Sequence, residues 1–138
     1  MKLKVILVCA IGTISLLFSG CSADDEVSLR ASCDDFYKQG EIIKEVQVPT
    51  GDSFKVSLCC TPSTAFKWSE TASISDETVI KQINHKFVMA PPGGTPDQEI
   101  WTFKAIKEGA SIITIENSHQ LEGNKNRGWT FVLTAIVD

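Results

Sequence analysis

The sequence predicts an all-β domain, a sandwich of about seven short strands in two antiparallel sheets. Three observations point there. β-Branched and aromatic residues alternate with polar ones in segment after segment beyond residue 40. Turn-forming clusters recur every 8–12 residues or so, the spacing of an immunoglobulin-type sandwich. No amphipathic helix of useful length interrupts them; at most one helical turn fits around Cys33 to Lys38.

Taken in order, Ile42, Val46 and Val48 carry the first run, with Glu41, Lys44, Glu45 and Gln47 interleaved. Pro49-Thr50-Gly51-Asp52 is a strong turn. Ser53 to Cys60 alternates cleanly, with Phe54, Val56, Leu58 and Cys60 on one face and Lys55, Ser57 and Cys59 on the other. Thr61 to Ala65 is a polar break, and Phe66-Lys67-Trp68 alternates again. Ser69 to Thr78 is polar and irregular. Val79 to Met89 holds one or two strands, and Ala90 to Pro96, with three prolines and two glycines, cannot be regular structure. Glu99 to Ile106 sets Trp101, Phe103 and Ala105 against Ile100, Thr102 and Lys104. Lys107 to Ala110 is a tight turn, Ser111 to Glu116 a β-branched run, Ser118 to Gly128 a polar loop, and Trp129 to Val137 the closing strand. Phe54, Trp68, Phe87, Phe103, Trp129 and Phe131 lie on separate strands and are expected to meet between the sheets.

The N-terminus is a targeting segment. Lys2 and Lys4 precede an apolar run, Val5 to Phe18, which ends at Ser19-Gly20-Cys21. That run is short for a bilayer span and suits the apolar core of a signal peptide. Small residues before a cysteine resemble the bacterial lipobox, which implies cleavage after Gly20, lipid on Cys21 and a place in the cell envelope. Ser22-Ala23-Asp24-Asp25-Glu26 resembles the acidic surface-export signal of Bacteroidetes lipoproteins, which implies the outer surface. The expected organisation is a signal over 1–20, a lipidated cysteine and polar tether over 21–40, and the sandwich over 41–138.

Composition narrows the function. The chain carries 13 basic and 17 acidic residues. Without Lys2 and Lys4 the balance is 11 against 17, a net −6. No basic stripe exists to neutralise phosphates, so nucleic acid is not an expected partner. His85 and His119 are the two histidines, and neither they nor the cysteines show metal-ligand spacing. No cofactor, metal or catalytic residue is expected, and the domain reads as a monomer without enzymatic chemistry. Of five cysteines, Cys9 leaves with the signal and Cys21 takes lipid. One disulfide is expected from Cys33 to Cys60 or Cys59. The strand phase favours Cys60, because that side chain points inward.

Strands of alternating direction bring three connections to one end: Thr61 to Ala65, Ala90 to Asp97 and Ser118 to Gly128. They are longer or richer in Pro, Gly, Ser, Thr and Asn than the tight turns at the other end. A cluster of loops on a rigid sandwich is a common way to build a binding site.

Thr61-Pro62-Ser63-Thr64-Ala65-Phe66-Lys67-Trp68 resembles the first motif of the chagasin family of cysteine-protease inhibitors, Asn-Pro-Thr/Ser-Thr-Gly, an aromatic, any residue and Trp. Thr61 stands for the Asn and Ala65 for the Gly. The second motif, Gly-x-Gly-Gly, reads Pro91-Pro92-Gly93-Gly94 here, followed by Thr95. The third, Arg-Pro-Trp, falls by spacing on Asn117-Ser118-His119, with His119 in place of the Trp. Arg127-Gly128-Trp129 also contains two of its residues, but Trp129 is in phase with Phe131 and Leu133 as a strand residue. The resemblance spans about residues 42–138. It implies a reversible, non-covalent inhibitor of papain-like cysteine proteases whose three loops fill the active-site cleft. The residues it assigns to binding are Thr61 to Phe66, Pro92 to Thr95 and Asn117 to His119, with Arg127 and Trp129 as further candidates. Pro62 stiffens the first loop, and Ser63 and Thr64 can bond to its backbone. The other reading of the same sandwich is a non-inhibitory binding module on a surface lipoprotein.

Overall fold

The computed structural model describes residues 26–60, 66–93, 96–119 and 127–138. Nine strands and one short helix are present among them. In chain order they are β1 (Val27–Ala31), α1 (Cys33–Gln39), β2 (Glu41–Val48), β3 (Ser53–Cys60), β4 (Phe66–Trp68), β5 (Ser73–Ile74), β6 (Ile80–Val88), β7 (Asp97–Ala105), β8 (Gly109–His119) and β9 (Arg127–Val137). They form two facing sheets, β1-β3-β7-β6 and β2-β9-β8-β4, with β5 paired to β8. The expected sandwich is therefore present.

Both sheets are mixed rather than purely antiparallel. β1 runs parallel to β3, and β2 parallel to β9. The reason is connectivity. No hairpin joins either pair: β1 reaches β3 through α1 and through β2 of the opposite sheet, so neither pair is bound to run antiparallel.

The core is built from the inward faces of the alternating strands. Phe54, Val56, Leu58, Trp101, Phe103, Ile113, Ile115, Phe131, Leu133 and Ala135 are fully buried. Of the six aromatics expected there, Phe87 departs, at 43% exposed. It lies near the end of β6, an edge strand. Trp101 and Phe36 are buried aromatics in its stead.

The segment expected to be a tether over 21–40 belongs to the fold from Val27 onward. β1 pairs with β3 from Val27↔Phe54 to Ala31↔Leu58. Helix α1 follows at once. Ser32 caps it: its Oγ accepts the Asp35 N–H at 3.2 Å, and the Asp35 carboxylate accepts the Ser32 N–H at 3.1 Å. The Ser32 N–H first, and then the Ser32 hydroxyl, which donates to the same carboxylate oxygen at 3.0 Å, hold the Asp35 carboxyl below its usual range. Gly40 ends the helix with a positive φ of 76° and donates its N–H to Phe36 O. The helix is too short to stand alone. Phe36, 1% exposed, fastens it to the core. Residues 1–25, with the expected signal and Cys21, lie outside the described residues.

Candidate functional site

Register fixes where the three connections emerge. Cys60, at the end of β3, pairs with Asp97, at the start of β7, and Val88, at the end of β6, pairs with Gln98. In the other sheet Phe66 pairs with His119, and Ser118 with Arg127. The two sets of strand ends meet through Trp68, whose Nε1–H donates to the Cys59 carbonyl at 2.8 Å. All three connections therefore leave from one end of the sandwich. Thr61 to Ala65, Gly94 and Thr95 lie outside the described residues. Phe66, Ser118, His119 and Arg127 are placed by their strand backbones at this same end.

Each connection is fastened where it leaves the sheets. At the first, Cys59 forms a disulfide with Cys33 in the first turn of α1, Cα to Cα 5.5 Å. This corrects the expectation that favoured Cys60. Cys60 does point inward with Phe54, Val56 and Leu58, but it remains a free, buried thiol. The pairing is lateral rather than through the core. β1 lies beside β3 with Ala31 opposite Leu58, so the chain enters α1 alongside Cys59. Burial and the nearby carboxylates of Glu99 and Asp97 push the Cys60 thiol up to about 12. A thiol so protonated is a poor nucleophile at neutral pH.

At the second connection, the Ala90 N–H donates to Asp97 Oδ1 at 2.7 Å and closes the base of the loop. Pro92 and Gly93 form a turn, and Gly93 has a φ of 136°, a conformation that a side chain disfavours. Nothing lies within 4 Å of the position its Cβ would take. Glycine is thus needed here for its backbone and not for lack of space.

At the third, the β8–β9 ladder shifts register between Glu116 and Ser118, leaving an extra residue on β9. Gly128 sits in that bulge. A methyl group on it would overlap the Asn117 carbonyl and come within 2.9 Å of Asn117 Oδ1. Gly128→Ala is therefore expected to cost at least about 1–3 kcal/mol, as overpacking against backbone does. Urea unfolding of the variant checks this; an unchanged midpoint would show that the bulge yields.

Two candidates take structural places. Asn117 is 3% exposed and opposite Trp68, so its side chain is not offered to a partner. Trp129 stacks on Phe36 at 5.0 Å with planes 9° apart, and meets Tyr37 edge-on at 5.1 Å. The strand phase that made it a packing residue holds. The Trp68 ring centroid lies 5.3 Å from that of Phe36 and 6.2 Å from that of Trp101, so five aromatic rings, Tyr37 included, pack under the loop end. Sequence reasoning missed the role of α1 here. The Ser32-x-x-Asp35 capping box was the local sign of it.

Beside this cluster His85 Nε2 and Glu99 Oε1 face each other at 3.7 Å, with side chains 17% and 16% exposed. Burial raises the Glu99 carboxyl above its usual range, while His85 pulls it the other way. The end of the sandwich thus combines pinned loop bases with a rigid aromatic floor, which suits presentation of loops to a partner.

A family model described as chagasin family peptidase inhibitor I42 matches residues 47–135. The chain belongs to the chagasin family of peptidase inhibitors. The matched span runs from the end of β2 to near the end of β9 and takes in all three connections of this chagasin-family chain. Similar solved structures include the cysteine protease inhibitor EhICP2 from Entamoeba histolytica, at 14% identity and a TM-score of 0.63 over 82% of this chain and 97% of that one. Amebosin is similar at 16% identity and a TM-score of 0.57, over 83% and 99% of the two chains. PbICP-C, solved in complex with falcipain-2, gives 16% and 0.57 over 81% and 99%. At these identities the likenesses speak for the fold. No curated protein matches by sequence.

Proposed function

We propose that this chagasin-family chain reversibly plugs the active-site cleft of a papain-like cysteine protease with its three connections, while a lipid on Cys21 holds it in the cell envelope. The observation that carries the reading is convergence. Strand register brings Cys60, Phe66, Val88, Asp97, His119 and Arg127 to one end, and the connection that best fits the family pattern, Thr61 to Ala65, is anchored there on both sides by Cys59 and Trp68. PbICP-C, of similar fold, forms a complex with falcipain-2, which supports a protease as the partner. Fixed loop bases lower the ordering cost of binding. A buried Cys60 thiol pushed up to about 12 suits a packing role rather than covalent chemistry. In this reading the second motif, Pro92, Gly93, Gly94 and Thr95, and the third, Ser118 and His119, would bind alongside the first, Thr61 to Ala65.

The mature domain should inhibit at least one member of a papain-like panel, falcipain-2 included, and be recovered uncleaved. Thr64→Arg should weaken that inhibition more than tenfold, about 1.4 kcal/mol, with the unfolding midpoint nearly unchanged. His119→Ala should weaken it less. A domain that leaves every protease of the panel active at micromolar concentration is not an inhibitor of this class.

A further inference from the structure

The direction of β1 carries an inference about how the anchored protein stands on its membrane. β1 is parallel to β3 and begins opposite Phe54, one residue into β3. β3 runs from the tight-turn end, Ser53, to the loop end, Cys60. The chain therefore enters the fold at the end opposite the three connections. Glu26 is already fastened there, with its Oε1 3.2 Å from Lys55 Nζ. The C-terminus lies at the same end: Asp138 O accepts the Thr50 N–H at 3.0 Å.

Between Cys21 and Glu26 stand only Ser22, Ala23, Asp24 and Asp25. Five steps of extended chain reach about 18 Å at most. From Ser53, alongside Glu26, to Cys60 is seven strand steps, about 23 Å, before residues 61–65 add to it. The tether is shorter than the module. It cannot run back past the fold to let the loop end meet the bilayer in which the lipid sits.

We infer that the lipid-anchored protein stands with its tight-turn end, residues 49–52 and 106–108, against the bilayer and its three connections pointing away from it. The partner it fits is then a protease in the surrounding medium, approaching from the solvent side. This rests on the reading of Cys21 as the lipid site, and it does not depend on which protease is bound.

The test uses the full lipidated chain in phosphatidylethanolamine–phosphatidylglycerol vesicles that carry an acceptor-labelled lipid. Lys107→Cys places a donor dye at the tight-turn end, and Met89→Cys, at a position 74% exposed, places one beside the second connection. Cys33 and Cys59 are joined and Cys60 is buried, so the new thiol takes the dye. Energy transfer to the bilayer should be at least twofold stronger from 107 than from 89. Inserting twenty Gly/Ser residues between Asp24 and Asp25 should abolish the difference. Equal or reversed transfer with the native tether overturns the orientation. The mass of the N-terminal peptide reports separately on the anchor: an unlipidated Cys21 overturns the anchoring and the orientation with it, whereas a lipidated Cys21 with reversed transfer overturns the orientation alone.

Discussion

Replacing Trp68 with alanine is expected to remove about 3–5 kcal/mol of stability, the usual cost of deleting a buried aromatic side chain. Trp68 is 4% exposed and touches three other rings, those of Phe36, Trp101 and Trp129. It also holds the two sheets together at the loop end through its bond to the Cys59 carbonyl. Trp68→Phe separates the two contributions. It keeps most of the packing but leaves that carbonyl, in a buried place, without its donor, for a loss of about 1–3 kcal/mol. Because Cys59 and Trp68 flank residues 61–65, Trp68→Phe should also weaken protease inhibition severalfold at temperatures where the variant is fully folded. Urea titrations give the first number and inhibition constants the second. A Trp68→Phe variant as stable as the parent would mean that the indole N–H contributes nothing.

The Trp68 site shows which kind of information lies in the sequence. Strand positions were legible because they depend on neighbours: Ser53 to Cys60 and Trp129 to Val137 alternate, and the turns between them contain Gly, Pro or Asp. Legible for the same reason was the sharing of one end by three connections, which follows from strands that alternate in direction. What stayed hidden depends on partners far along the chain. β1 is only five residues, Val-Ser-Leu-Arg-Ala, largely exposed, and it becomes a strand because β3 offers it an edge. β5 is two residues long and exists through β8. Phe87 has the composition of a core residue, and only its place near the end of an edge strand exposes it. Counting back along the loop places the third motif on Asn117, but β8 runs on to His119 and takes Asn117 into the strand. The two adjacent cysteines are the clearest instance. Alternation correctly turned Cys60 inward, yet pairing is decided by what lies alongside, and Cys33 lies alongside Cys59.

That pairing makes a prediction with an effect nearly as large as the first. Cys33 and Cys59 are separated by 26 residues. In the chain-entropy account, closing a loop of that length in the unfolded state stabilises the fold by roughly 3 kcal/mol. Reduction, or Cys33→Ala, should therefore lower stability by about that amount. It should also free α1, whose seven residues cannot hold a helix unaided. Phe36 would then leave Trp129 and Trp68, and indole fluorescence should change before global unfolding. Cys60→Ala behaves differently. It trims one sulfur from the core, costs on the order of 1 kcal/mol, and leaves the bridge intact. The deciding measurement is urea unfolding of each variant with and without a reductant. The parent and Cys60→Ala should both be sensitive to reductant, and Cys33→Ala and Cys59→Ala should not. If Cys60→Ala were insensitive while Cys59→Ala kept its response, the bridge would run from Cys33 to Cys60 and the lateral geometry described for the first connection would be wrong. Inhibition adds a functional reading. Cys59 is the residue from which the chain passes through Cys60 into residues 61–65, so loss of the bridge should raise the inhibition constant in proportion to the freedom that the loop regains, while Cys60→Ala leaves it near the parent value.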